Sequence, residues 1–372
     1  MRHKMPASAL LIRRVLLLAI LAGSLGACTT PNIAGCTAGN GLMVDCRFEN
    51  PEDFAASPAG TALIVSEMGR GSVDSRSGRL LAYLPAADGK SGEIRVLWPL
   101  SSRARESEPR SRAGLGDPDC LALPAGAIVP HGIDLEQLDD GRNVLFVVNH
   151  AQRESIEIFE VIDDGRQVAL RFEGCVVAPA DSTLNDVVGL RDGGFRVTNS
   201  FPKSENVVIA GLRMRYGDYQ PGFVWEWRPG RGFARLPGTE IAYANGIEKS
   251  ADERYVYLNG YFENAVVKVD TRSGTRVAQI TIAGPDNVTW SPEGKLLVAS
   301  HHASTLDLLG CLRIERGACG FRFEIVELDP DLRARRTLID QEGAPIGAAT
   351  VALPFAGRLY LGTFAGDRIA WR

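Results

Sequence analysis

Asp286-Asn287-Val288-Thr289-Trp290-Ser291-Pro292-Glu293-Gly294-Lys295-Leu296-Leu297-Val298-Ala299-Ser300-His301 states the plan of the whole chain once. A polar pair opens an apolar run, a Ser-Pro-Glu-Gly turn reverses it, and a second apolar run closes on a polar residue. Short apolar and β-branched runs bounded by Gly, Pro and Asp read as paired antiparallel strands. The same phrase recurs from Glu52-Asp53 to Glu67, His131-Gly132 to His150, Asn185-Asp186 to Ser200, Asn245-Gly246 to Asn259, and Ala349-Thr350 to Thr363. The turns of these copies read SPAG, LDDGR, RDGG, SADER and PFAG. Successive copies start about 41 to 79 residues apart, the spacing of four-stranded units with long loops added.

Six such copies predict an all-β chain folded as a six-bladed β-propeller. Strands are expected at Thr61–Ser66, Val144–Val148, Ile156–Val161, Tyr255–Leu258, Ala265–Val269 and Leu296–Ala299. A blade cannot bury both faces alone, so blades stack around an axis. Leu42–Phe48 precedes the first copy and is placed to pair with the last blade, closing the ring and removing its free edges. An irregular β-sandwich is the competing arrangement of such strands. The propeller domain is taken as residues 42–372.

Residues 1–27 read as a signal peptide, with Arg2, Lys4, Arg13 and Arg14 ahead of the apolar run Val15–Leu25. That run is about 11 residues long, against roughly 20 for a spanning helix. Leu25-Gly26-Ala27-Cys28 resembles the lipobox of bacterial lipoproteins, which implies lipid on Cys28, a linker over 28–41 and export to the outer membrane. An ordinary cleavage site preceding a cysteine is the alternative. The net charge of −4 is interspersed, with no basic block outside the signal, which argues against a nucleic-acid partner. Six further cysteines suit disulfides in an exported protein. Short loops suggest Cys36–Cys46 and Cys311–Cys319, leaving Cys120–Cys175, although six cysteines allow 15 connectivities. With no C-x-x-C, a zinc ribbon or thioredoxin-type site has no support.

In a propeller, the starts of the innermost strands point into one end of the central channel. Those starts hold Glu52, Asp53, His131, Asn185, Asp186, Asn245, Asp286 and Asn287. Carboxylates and amide carbonyls without thiolate suit a hard cation, calcium rather than zinc. Without a cation the clustered acids would repel one another. Taken alone, Asn245-Gly246 reads as a tight turn; the shared phase of the pairs is what argues for a site. His131 and His150 bracket one copy. A hydrogen bond between them would hold one ring in the tautomer that takes a proton from water, while a buried structural histidine and a loop histidine are the plainer alternative.

Pro130-His131-Gly132-Ile133, followed by Val147-Val148-Asn149-His150, resembles the PHGI…VVNH signature of the serum paraoxonase/arylesterase family. Leu184-Asn185-Asp186, Ala244-Asn245-Gly246-Ile247, Asp286-Asn287 and Ala349-Thr350-Val351-Ala352 with Leu361-Gly362-Thr363 are similar to it in order, so the likeness runs from about Glu52 to the C-terminus. The resemblance implies a calcium-dependent hydrolase of lactones or aryl esters. It implies a catalytic calcium on Glu52, Asn185, Asn245, Asp286 and Asn287. A second, structural calcium would lie on Asp53, Asp186 and the Ile133 carbonyl. His131 would be the general base, or a water-orienting group, and His150 its partner, with His301, Tyr243 and Thr350 in the substrate pocket. Pocket walls are expected in the loops 67–78, 201–222 and 303–320.

Three departures from the family bear on the lid and the substrate. The tail Ala370-Trp371-Arg372 has no cysteine to join the chain ends, and an Arg- and Ser-rich loop runs over 101–119. The apolar helix over the family's site looks replaced, around 201–222, by a polar stretch with Lys203, Glu205, Arg213, Arg215 and Asp218. No G-x-S-x-G elbow, H-E-x-x-H or Walker A motif is present in the mature chain. The rival readings are a gluconolactonase-type sugar lactonase, which needs no histidine pair, and a non-catalytic envelope propeller that binds a partner.

Overall fold

The structure is a computed structural model that describes residues 32–70, 77–87, 89–99, 114–121 and 127–372. The expected signal peptide, Cys28, the start of the linker and most of the 101–119 loop lie outside the described residues.

The expected ring is present: six four-stranded antiparallel sheets follow one another along the chain. Their innermost strands are Pro51–Ala56, Pro130–Gln137, Leu184–Gly189, Ala244–Lys249, Pro285–Trp290 and Ala349–Phe355. The second strands of these blades are covered on both faces; Leu63–Glu67 and Phe195–Asn199 are buried at every residue. Such a sheet is stable only between two others. Ala55, Ile64 and Leu80 of blade 1 meet Ile133, Leu145 and Phe159 of blade 2. Equivalent seams continue around the ring to Phe54, Val65 and Tyr83 of blade 1 against Val351, Tyr360 and Trp371 of blade 6. Each fully buried Leu, Ile, Val or Phe in these seams contributes about 1.5–3 kcal/mol.

The ring closes as the sequence suggests. Met43–Asp45 forms the outer strand of blade 6, in antiparallel register Met43↔Trp371, Val44↔Ala370 and Asp45↔Ile369. Hydrogen bonds tie the described N-terminal segment to the last blade. Arg368 is fully buried. Its guanidinium donates to the Ile33, Gly35 and Pro345 carbonyls at 3.0, 2.7 and 2.9 Å and pairs with Asp367 at 2.7 Å. Three disulfides join Cys36–Cys46, Cys120–Cys175 and Cys311–Cys319, the pairing favoured by loop length.

The polar lid expected around 201–222 is corrected by the structure. A helix, α1 (Val207–Tyr216), stands there, with Asn206 accepting from the N–H groups of Val208 and Ile209 as its N-cap. Ala210 and Met214 dock against Phe201, Ala242, Tyr243 and Phe262. The charged residues noted in the sequence fall on its flanks and last turn; the first turns are apolar. A second helix, α2 (Thr305–Cys311), opens with a Ser304–Asp307 capping box and is tied by Cys311 to Cys319.

Arg368→Leu is expected to lower unfolding free energy by about 3 kcal/mol or more, because the buried Ile33 and Pro345 carbonyls, the Gly35 carbonyl and Asp367 lose their partner together. A urea midpoint unchanged from wild type would show that strand pairing alone closes the ring.

Candidate active site

Every innermost strand begins with the same irregularity. Pairing with the second strand skips between Pro51 and Asp53, Pro130 and Ile133, Leu184 and Val187, Ala244 and Ile247, Pro285 and Val288, and Ala349 and Ala352. A bulge frees residues from the ladder and re-aims their side chains. The irregularities fall at the expected residues, and Glu52, Asp53, Asn185, Asp186, Asn245, Asp286 and Asn287 are each at most 6 % exposed. Four blades enter the bulge from a residue with positive φ: Asn50 (57°), Tyr243 (63°), Gly284 (40°) and Ala348 (51°). Gly132 and Gly246 answer a crowding constraint, not a turn. A Cβ at Gly132 would stand 2.3 Å from Asp186 Oδ1, and one at Gly246 2.4 Å from the Asp286 carbonyl oxygen.

The amides divide their work by end. Asn287 Nδ2 donates to Glu52 Oε1 at 2.9 Å, and Asn245 hydrogen-bonds Asp286. Their oxygens, Asn287 Oδ1 and Asn245 Oδ1, are buried without a hydrogen-bond partner, as are Asn185 Oδ1 and Glu52 Oε2. Unsatisfied buried oxygens on four different innermost strands call for an explanation. A hard cation taking six to eight oxygens fits them. Among the described residues no three His, Cys, Asp or Glu side chains form a metal-holding group, so amide oxygens are needed to complete any set. Asp53 and Asp186 face the neighbouring blades. Asp53 accepts from the Phe54 and Ile133 N–H groups, and Asp186 from those of Val187 and Ile247, all at 2.8 Å. Asp53 thus meets Ile133 through the Ile133 N–H.

Burial, then the charges of Asp53, Asp286 and Asp186, pushes the Glu52 carboxyl well above the usual range. Burial raises Asp53 to about 7 and Asp286 to about 8, and holds Asp186 well up, with the Asp53 charge adding to it. Among the described residues no Lys or Arg forms an ion pair with these carboxyls; His131 and His301 are the basic side chains beside them.

Beside them, His131 Nδ1 and His150 Nε2 stand 2.9 Å apart, and His131 Nε2 is 3.7 Å from Glu52 Oε1. Behind them stands Glu154, a carboxylate with no signal in the sequence. His150 Nδ1 is 2.9 Å from Glu154 Oε2, which also accepts from the Leu184 N–H at 3.1 Å, while Lys203 Nζ reaches Glu154 Oε1 at 3.1 Å. Burial pushes the Glu154 carboxyl up, but His150, Leu184 and Lys203 together leave it below its ordinary value. His301 donates from Nε2 to the Ala349 carbonyl at 2.8 Å and accepts at Nδ1 from the Tyr261 hydroxyl at 3.1 Å. Burial lowers its pKa to about 4, so it is a neutral fixture.

A cavity of about 270 Å³ opens over these groups, with His131, Asn185, Asn245, Asp286, His301 and Tyr243 at its polar end. Its walls are apolar: Val207 and Val208 of α1, Leu308 and Leu309 of α2, and Met68, Phe262 and Phe364. The three expected wall loops all contribute, whereas Tyr261, Phe262 and Phe364 were not anticipated. Thr350 is not among the residues lining this cavity; its hydroxyl donates to the Glu52 carbonyl at 2.6 Å, fastening blade 6 to blade 1.

The family model for arylesterases matches residues 120–368. The chain belongs to the arylesterase family. Membership in this paraoxonase-type family places the chain among hydrolases of esters and lactones. No curated protein sequence matches it. Among solved structures it is similar to a gluconolactonase from Xanthomonas campestris, at 16 % identity over 93 % of this chain and 95 % of that one, with a TM-score of 0.50. It is also similar to a luciferin-regenerating enzyme, at 14 % identity over 89 % and 95 % of the two chains, with a TM-score of 0.51. At these identities the likeness concerns the fold.

The raised carboxyls give this arylesterase-family protein a pH dependence of definite sign. Groups whose folded pKa exceeds the unfolded value hold extra protons when folded, so their contribution favours folding at low pH and is lost as pH rises. For Asp53 and Asp286 the window runs from the ordinary value of 3.8 to about 7 and about 8. With chelator present, this contribution is expected to lower the melting temperature from pH 5 to pH 8. Calorimetric scans showing a melting temperature that rises over that range would contradict this.

Proposed function

We propose that this protein is a calcium-dependent hydrolase of lactones and aryl esters, exported and held to the outer membrane by lipid on Cys28. One observation carries the reading: partnerless buried oxygens of Glu52, Asn185, Asn245 and Asn287 gather beside a hydrogen-bonded histidine pair, under an apolar cavity. Glu52, Asn185, Asn245, Asp286 and Asn287 would hold the catalytic calcium, and Asp53, Asp186 and the Ile133 carbonyl a structural one. When bound, calcium supplies Lewis-acid polarisation of the substrate carbonyl and compensates the charge that develops on its oxygen.

The chain's own groups do the rest. The apolar walls seat the acyl or aryl part and keep bulk water from the reacting carbonyl. His131 Nε2 takes a proton from water as the water oxygen adds to the carbonyl carbon and the π pair moves onto oxygen. That pair returns as the bond to the leaving alkoxide breaks, and His131 returns the proton to it. A lactone gives a hydroxy acid; an ester gives an acid and an alcohol. Val207, Val208, Leu308, Leu309, Phe262 and Phe364 offer a polyhydroxylated sugar lactone no hydrogen bonds, which favours this reading over a sugar lactonase.

Turnover of phenyl acetate and of an alkyl-substituted lactone is expected with calcium, and its loss after chelation. Asn185→Ala should lower kcat/KM by about 100-fold or more with an unchanged circular-dichroism spectrum. Absence of turnover on every ester and lactone tested would leave a binding propeller, and preference for gluconolactone would favour the sugar-lactonase alternative. Cys28→Ala should move the protein from the membrane fraction to the soluble one; unchanged fractionation would overturn the lipid anchor.

A further inference from the structure

The residues around Glu154 fix a direction of hydrogen bonding that the histidine pair alone leaves open. A neutral imidazole has one N–H and one lone pair, and two paired rings can adopt either of two opposite arrangements. Glu154 removes that choice. Its Oε2 accepts from the Leu184 N–H at 3.1 Å, so that atom faces donors. Its Oε1 receives the Lys203 ammonium at 3.1 Å, a donor as well. His150 Nδ1, at 2.9 Å from Oε2, must then be the N–H of its ring. The Nε2 atom of His150 becomes the lone pair, and His131 Nδ1, at 2.9 Å from it, becomes the donor. This leaves His131 Nε2, the nitrogen on the Glu52 side, with the lone pair. The side chains of His131, His150 and Glu154 are 16 %, 12 % and 11 % exposed, so solvent does little to scramble the order.

We propose that Glu154 is a positioning residue that completes a His131–His150–Glu154 relay, fixing both imidazole tautomers so that Nε2 of His131 is the atom that accepts a proton. This rests on the reading of His131 as the base. During turnover the water O–H bond breaks and its proton goes to His131 Nε2; the positive charge on the ring pair then sits in line with the Glu154 carboxylate. Glu154 keeps its own ionisation state throughout, stabilising the imidazolium by charge and orientation. The relay draws on two blades: His131, His150 and Glu154 belong to blade 2, while the Leu184 N–H heads the innermost strand of blade 3 next to Asn185. Lys203 lies on the segment leading into α1, which ties the approach to the cover helix to the same carboxylate.

Gln replaces the acceptor poorly. With its oxygen kept toward Leu184 and His150, its NH₂ would face the Lys203 ammonium; turned over, the NH₂ would face two donors. The experiment uses the calcium-loaded full chain with phenyl acetate as substrate. Glu154→Gln is expected to lower kcat roughly 10- to 100-fold with KM within about twofold, and Glu154→Asp, which keeps the carboxylate, to recover a large part of the loss. Lys203→Met is expected to change kcat less than about threefold, since its ammonium is largely exposed. Two-bond ¹⁵N–¹H spectra of the imidazoles, assigned with His131→Gln and His150→Gln, should show both rings protonated at Nδ1 in wild type and a mixture in Glu154→Gln.

Glu154→Gln with unchanged kcat while His131→Gln is inactive would overturn the proposal and leave the base assignment standing. A fully active His131→Gln would overturn the base assignment itself. The spectra would then decide the tautomer role of Glu154 alone, and identical spectra for wild type and Glu154→Gln would overturn it. Equal losses in Glu154→Asp and Glu154→Gln with a raised KM would mark the residue as structural support only.

Discussion

A ladder that fails at the same point in every blade is what the site depends on. Strand pairing normally sends successive side chains to opposite faces of a sheet, and a regular innermost strand would offer the axis every second residue. The bulge at each strand head suspends that alternation over two or three residues. Consecutive pairs such as Glu52-Asp53, Asn185-Asp186 and Asp286-Asn287 can then divide their roles. The first member of the Glu52-Asp53 and Asn185-Asp186 pairs leaves an oxygen without a partner at the mouth, and the second binds backbone N–H groups of its own strand and of the next blade. Site and frame are thus made by neighbouring residues, and the glycines of the other two heads exist because an adjacent strand already fills the space of a side chain.

The raised carboxyls follow from the same arrangement. Packing six apolar seams forces the strand heads into a dry channel, and a dry channel raises the cost of each ionised carboxyl. Amide oxygens add donor capacity without adding charge, which is why Asn outnumbers Asp and Glu among the partnerless groups. Surrounding the mouth with Val, Leu and Phe lowers the local dielectric further and strengthens any interaction between a carbonyl and the groups below it.

Much of this could be read in the sequence, and the limits have physical causes. The ring, its closing strand and the phase of the oxygen-bearing residues were legible because a blade repeats and each copy carries the same signal. The His131–His150 contact was legible because both ends of one hairpin lie opposite each other. Glu154 was not: it sits in an irregular loop, where no periodicity says which way a side chain points, even though it follows His150 by only four residues. Helix α1 was missed because Val207, Val208, Ile209 and Gly211 are poor helix formers, and docking of Ala210 and Met214 supplies what propensity withholds. Thr350 occupies the right phase of the repeat, but its hydroxyl is short and turns to the backbone of the next blade.

The seam between the last blade and the first holds one more consequence. Among the described residues this junction is sewn by segments far apart in sequence, through Met43–Asp45, Arg368 and the Thr350 hydroxyl, and it abuts Glu52. A closed ring without a covalent clasp comes apart where its ends meet. Unzipping there carries Glu52 away from Asn287, so the donor set is dismantled in the same movement that opens the barrel. Mechanical integrity and the assembly of these oxygens become one cooperative event, and an ion lodged between those strands would act as the rivet of the joint.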